Sequence, residues 1–170
     1  MVLNMTEQSD DISGIAERKE TCLAKQKEVI DNVKKATVEL VRKYPDKIVA
    51  VGLFGSFARG DYTDRSDVDI LVIVKDWPGG MNRRYMIYDI FFRFVGLDIS
   101  LMDLDIEDIN ELLDGKISLT SSMLNVLYDC IVIYDPYEIL QKLVESVKKL
   151  VHDLGLARYR IGRAYGWKIK

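Results

Sequence analysis

The chain has 170 residues, 48% of them apolar and 30% charged, with a formal net charge of −3. That length suits one domain with a sizeable core and appended helices. Its apolar runs are too short to span a bilayer, and Met1–Asn4 leads into acidic, polar sequence rather than a secretory signal. Cys22 and Cys130 stand far apart with no Cys or His nearby, which argues against zinc and predicts two reduced core thiols in a cytoplasmic protein. From Gln141 to Lys170 there are eight Lys/Arg against two Asp/Glu, while the preceding residues carry 16 against 25. An acidic body with a basic tail does not favour a nucleic-acid partner. The tail either meets phosphate or packs on its own body, and the second reading is preferred.

Residues 1–12 read as a frayed or disordered terminus. Apolar residues at spacings of three and four predict an amphipathic helix over 13–44, closed by Pro45. A buried strand follows over Ile48–Phe54, then a short helix opened by Ser56 and closed by Gly60. Asp67–Val74 is the second strand. Trp77–Gly80 is a turn cluster, and Asn82 is expected to cap a helix through Phe94 that Gly96 ends. Leu97–Met102 reads as a third strand. Helices are expected from Asp105 to about Leu113 and from Ser118 to Tyr128, and a short strand over Cys130–Tyr134. Asp135-Pro136-Tyr137-Glu138 forms a helix start with cap, proline and back-reaching acid, and that helix runs to Leu154. The tail from Tyr159 is expected as a strand or extended segment. Domain boundaries follow at 13–135, with 136–170 as a helix and tail packed on the same unit.

The run from Val51 to Val74, VGLFGSFARGDYTDRSDVDILVIV, carries the chemistry. An apolar strand ends at Gly55-Ser56, and ten residues later Asp67 and Asp69 open the next strand. Residues two apart on a strand share a face, so both carboxylates project together while Val68 turns into the core. Paired anions beside apolar flanks repel and are costly to desolvate. A divalent cation relieves both, and Mg²⁺ takes one or two carboxylates plus phosphate oxygens. Gly55 lets backbone amides approach an anion at the start of a helix. A lone Gly-Ser turn occurs in any loop, and a lone Asp-x-Asp is more often a turn acid and a solvated acid; the joint pattern is far more specific. His152 reads as a solvated side chain, and Asp61 and Asp64 as turn residues. Tyr85, Tyr88, Phe91 and Phe92 follow helix spacing and read as core or interface. Tyr165 and Trp167 are open to base stacking or to docking on the body.

The pattern Gly-Ser, ten residues, Asp-x-Asp resembles the signature of the DNA polymerase beta-type nucleotidyltransferases, and GSFARG with SDVDILV most resembles their minimal branch. The resemblance implies an α/β (α+β) nucleotidyltransferase fold: a small mixed sheet carrying the acids, with helices on one face and supporting helices at both ends. It implies transfer of a nucleoside monophosphate, AMP from ATP, to an acceptor hydroxyl, with two Mg²⁺ ions during turnover. Asp67 and Asp69 would hold metal, and Asp98 would be the third carboxylate that binds metal and helps deprotonate the acceptor, with Asp103 as fallback. Gly55 and Ser56 would hold the β- and γ-phosphates. Arg59 would contact triphosphate or close the site by pairing with a carboxylate, and Ser66 or Arg65 would brace the acids. Many minimal members are antitoxins that adenylylate a Tyr of a HEPN-type partner. The alternatives are a non-catalytic nucleotide- or protein-binding module on the same fold, and a transferase acting on a small molecule or RNA end.

Overall fold

A computed structural model describes residues 7–170 of the chain. The first helix, α1, spans Glu7–Lys43, six residues earlier than the hydrophobic spacing predicts. The frayed reading of residues 1–6 lies outside the described residues. Strand β1 is Ile48–Phe54, α2 is Gly55–Arg59 and β2 is Val68–Val74. Then come α3 (Met81–Val95), β3 (Ile99–Asp105), α4 (Ile106–Leu113) and α5 (Ser121–Tyr128). The chain closes with β4 (Ile131–Tyr134), α6 (Ile139–Asp153), β5 (Leu156–Ile161) and β6 (Ala164–Ile169).

Four strands form a mixed sheet in the order β3-β2-β1-β4, with β2 and β3 parallel and the other neighbours antiparallel. Helices cover both faces, not one. Val68, Ile70, Val72 and Val74 of β2 pack with Val33 and Leu40 of α1 and Ile90 and Phe91 of α3. On the opposite face Leu71 and Ile73 meet Ile109 of α4, Leu127 of α5 and Val144 and Val147 of α6. A central strand buried on both faces reads as a continuous apolar run, and 70–74 is such a run. Cys130 belongs to this second core, but Cys22 on α1 is exposed, so one of the two expected core thiols is a surface thiol.

Three boundaries differ from expectation for local reasons. β3 runs past Met102 to Asp105 because Arg83 of α3 draws in two of its acids: Nη2 lies 2.8 Å from Asp103 and Nη1 2.7 Å from Asp105. Helix α6 starts at Ile139 rather than at Pro136. Asp135 still caps it, accepting from the Ile139 and Gln141 amides at 3.0 and 2.7 Å, but Glu138 takes a left-handed φ of 56° before the helix begins. Helix α5 begins at Ser121, where the Thr120 hydroxyl accepts from the Met123 amide at 3.2 Å.

The tail from Leu156 is an antiparallel hairpin, with Ile161 opposite Ala164 and Leu156 opposite Ile169. It packs on its own body: Trp167 Nε1 donates to Asn125 Oδ1 at 2.9 Å, and Asn125 Nδ2 donates to the Tyr165 carbonyl at 2.9 Å.

Arg83 and Asp103 are 5% and 6% exposed at their side chains. Removing one partner of a buried pair strands the other charge, whereas replacing both is far milder. Asp103 keeps Arg84 at 3.0 Å when Arg83 is lost, so Arg83→Met should destabilise the fold by about 2 kcal/mol, less than a fully stranded buried charge, and adding Asp103→Leu should recover part of it, as read by urea unfolding.

Candidate active site

Strand β2 leaves Asp67 and Asp69 at its start, ahead of the helices that bury its later residues. Val68 between them is fully buried, Asp69 is half-buried and Asp67 is exposed. Alternation puts Asp69 on the face of Leu71 and Ile73, and Asp67 follows. Burial pushes the Asp69 carboxyl up to about 6; the Ser100 hydroxyl bonded to it opposes the rise, Asp67 adds to it and Arg59 opposes it. Ser100, directly opposite Asp69 in the parallel register, is a site residue that the sequence pattern did not single out.

Gly55 lies against the same carboxylate. Its φ is +70°, and a Cβ there would sit 2.7 Å from Asp69 Cγ and closer still to Oδ2. Glycine is thus required twice, for the backbone conformation and for the space that Asp69 occupies. Ser56 follows in α2, whose C-terminus is closed by Gly60 at φ 85°.

Asp98 precedes β3. The Val68 amide donates to its carbonyl at 2.8 Å, and the register of Val68 with Ile99, continued one residue back, sets Asp98 beside Asp67. Among the described residues no three acidic, His or Cys side chains gather closely enough to hold a metal ion by themselves. Two carboxylates fit Mg²⁺ when substrate phosphate completes its ligands, so Asp67 and Asp69 suit such an ion on their own. Asp103 does not serve as the fallback. It pairs with Val72, three residues along β2 from Asp69, and its carboxylate is taken by Arg83 and Arg84.

Arg59 ends α2 and points toward carboxylates. Its Nε lies 3.1 Å from Asp61 and its Nη1 3.2 Å from Asp129. Asp61 also accepts from the Tyr165 hydroxyl at 2.8 Å. Burial raises the Asp61 carboxyl, but the Tyr165 and Arg59 hydrogen bonds outweigh it and hold the group below its usual range. Asp61 is therefore more than a turn residue. Ser66 braces the loop instead of the acid pair, accepting from the Thr63 amide at 2.8 Å.

A cavity of about 460 Å³ opens here, lined by Ser56, Arg59, Asp67 and Asp69 from the body and by Arg160 and Arg163 from the hairpin. Asp67 also borders a second cavity of about 430 Å³ on the β3 side, with Tyr85, Tyr88 and Arg84 of α3. Cysteine chemistry has no place in either: Cys130 is buried and its thiol is pushed up to about 12, and His152 is exposed beside Asp153 on α6.

The nucleotidyltransferase-domain family model matches residues 30–153. A Methanocaldococcus jannaschii protein with the provisional name protein adenylyltransferase is 31% identical over 119 residues, covering 65% of this chain and 74% of its own length. A second protein of that organism and provisional name is 45% identical over 51 residues, 30% of this chain and 52% of its own. Among solved structures, one provisionally named a nucleotidyltransferase, from Sulfolobus solfataricus, aligns at TM-score 0.43 and 23% identity over 68% of this chain and 87% of that one. A chain from the Shewanella oneidensis complex of a tri-AMPylated HEPN toxin with MNT antitoxin aligns at TM-score 0.43 and 15% identity, over 72% and 86%. The chain belongs to the nucleotidyltransferase-domain family. It is a transferase by that membership, and no helix among the described residues is long and apolar enough to cross a membrane.

Two outcomes follow from the geometry. Gly55→Ala should displace Asp69 and cost about 2 kcal/mol through overpacking and backbone strain, seen as a lower Tm. Asp69 titrates at about 6 in the fold against an ordinary 3.8. Its contribution to stability is therefore complete below pH 3.8 and lost as pH rises through 6, a loss of at most about 3 kcal/mol. In the absence of divalent ions Asp69→Asn should be more stable than wild type at pH 8, relative to their difference at pH 4, by urea unfolding.

Proposed function

We propose that the chain transfers AMP from ATP to the hydroxyl of a protein side chain, with Mg²⁺ held by Asp67 and Asp69. The observation that carries this reading is the acid pair on one face of β2, with the backbone of Gly55 pressed against Asp69. The ordinary state of such a pair in water-poor surroundings is unfavourable, and the raised Asp69 carboxyl expresses that cost. Mg²⁺, when bound, neutralises triphosphate charge and stabilises the entering and leaving oxygens. Two ions during turnover would draw on Asp98 as well, from its place beside Asp67.

The remaining roles fall to side chains of the same site. The Ser56 hydroxyl and the amides after Gly55 receive the β- and γ-phosphates. The acceptor hydroxyl enters from the β3 side, where Tyr85 and Tyr88 border Asp67. Its oxygen attacks the α-phosphorus, the bond to the β-phosphate oxygen breaks, pyrophosphate leaves, and the hydroxyl proton passes to Asp98. The provisional name of the 31% identical relative supports a protein acceptor, and the GSFARG form supports a HEPN-type partner carrying the acceptor Tyr.

A non-catalytic module that binds nucleotide is the second reading, favoured by the lack of a gathered carboxylate trio among the described residues. Labelled ATP, Mg²⁺ and a co-encoded HEPN-type protein separate the two. Label should appear on the partner, and Asp67→Asn or Asp69→Asn should slow its transfer about a thousandfold. That factor corresponds to several kcal/mol of transition-state charge stabilisation at 1.36 kcal/mol per decade. ATP binding with no transfer to any protein, and unchanged partner binding by both variants, would establish the module instead.

A further inference from the structure

The β5–β6 hairpin begins at Leu156, beyond the residues matched by the family model, yet it supplies part of the wall of the acid-bearing cavity. Opposed residues of an antiparallel pair share a face, so Leu156, Arg158, Arg160, Tyr165 and Trp167 look the same way. Along that face the chemistry changes in order. Leu156 and Trp167 pack into the core under α5 and α6. Arg158 comes next and makes a double bond-pair to Asp129 at 2.8–3.0 Å, with its guanidinium 4.5 Å from the Tyr165 ring centroid. Arg160 and the turn residue Arg163 then stand at the tip and line the same cavity as Asp67 and Asp69.

The arginines differ in what they already hold. Arg158 is committed to Asp129, and Arg59 to Asp61 and Asp129. Among the described residues the hydrogen bond of Arg160 goes to a backbone oxygen, that of Gly162 at 2.8 Å; its guanidinium lies 5.7 Å from the Tyr165 ring centroid and helps lower the Asp61 carboxyl electrostatically without bonding to it. Arg163 has no hydrogen-bonded or ionic side-chain partner among the described residues. Four arginines and three aspartates line the cavity. Asp61 is neutralised by Arg59, and the other two acids face the proposed cations, so guanidinium charge at the tip is left for a separate anion. Guanidinium forks suit phosphate oxygens bidentately.

We propose that the C-terminal hairpin is a triphosphate clamp, in which Arg160 and Arg163 hold the β- and γ-phosphates of the nucleotide whose α-phosphorus is attacked beside Asp67 and Asp69. The clamp rests on the nucleotidyl-transfer reading, and it assigns part of the phosphate recognition to a segment outside the matched family region. Tyr165 carries the coupling: its hydroxyl fixes Asp61 while its ring lies 4.7 Å from Arg59, so the hairpin tip and the end of α2 hold one geometry.

The test is calorimetric binding of ATP, AMP and inorganic tripolyphosphate, each with Mg²⁺, to wild type and to Arg160→Gln/Arg163→Gln. Both side chains are exposed, and an unchanged Tm checks that the variant is folded; Arg163→Gln alone, in the hairpin turn, serves as the milder version. The double variant should lose about tenfold or more in affinity for ATP and tripolyphosphate, the scale of a charge-assisted pair, while AMP changes by less than about twofold. Unchanged ATP and tripolyphosphate affinity would overturn the clamp, as would an equal loss for AMP. Wild type that binds neither ATP nor tripolyphosphate would overturn the nucleotidyl-transfer reading itself, an outcome visible before any variant is compared.

Discussion

Everything at the site depends on the phase of one strand. β2 is buried on both faces from Ile70 to Val74, so a slip of one residue would turn Leu71 and Ile73 onto the α1 face and every neighbour with them. The two helical layers lock that phase, and in doing so they decide where Asp67 and Asp69 point. The acids are the price-free end of a strand whose orientation is fixed elsewhere. They sit where the sheet emerges from its covering helices, close enough to the core for Asp69 to feel desolvation and far enough for Asp67 to meet water.

That position makes the apoprotein locally unfavourable. An ionised Asp69 has a neighbouring anion and limited water, and a hydroxyl from Ser100 offsets only part of the cost. Arg59 is near enough to act on it electrostatically, yet its hydrogen bonds go to Asp61 and Asp129. The fold thus commits that guanidinium to other carboxylates. A salt bridge to the acid pair would have removed the repulsion and with it the demand for a cation.

The part of this legible in the sequence was the part written locally. Strand β1, the Gly55-Ser56 turn, Gly60 and Gly96 as helix ends, and the shared face of Asp67 and Asp69 all follow from spacing within about twenty residues. The second helical layer was not legible, because an all-apolar strand says that both faces are buried only once its neighbours are known. The true end of β3 was hidden because Asp103 read as a fallback metal ligand and Asp105 as a helix-start acid until Arg83 is seen to reach them from α3. Asp61 looked like a turn acid for the same reason, and Asp129 stood out in no local pattern. Their partners lie 104 residues away at Tyr165 and 29 away at Arg158, and a single sequence carries no signal that joins them. The tail read as a strand or extended segment only from Tyr159, and neither its start at Leu156 nor its pairing into a hairpin followed from local spacing.

The uneven charge of the chain acquires a physical sense from these contacts. One arginine of the basic tail is turned inward onto the body. Arg158 is spent on Asp129, which also takes Arg59, and this shared carboxylate ties the hairpin to the end of α2. Arg59 also pairs with Asp61, so two guanidiniums meet two carboxylates in balance, and the next arginines along the chain, Arg160 and Arg163, bring positive charge to the cavity that the acid pair lines. Opposite charges are thereby held close without neutralising each other, because each set is fixed by its own backbone: the acids by β2, the arginines by the hairpin. A ligand that carries cations toward the acids and phosphates toward the arginines satisfies both at once, and a metal–triphosphate complex has that charge order.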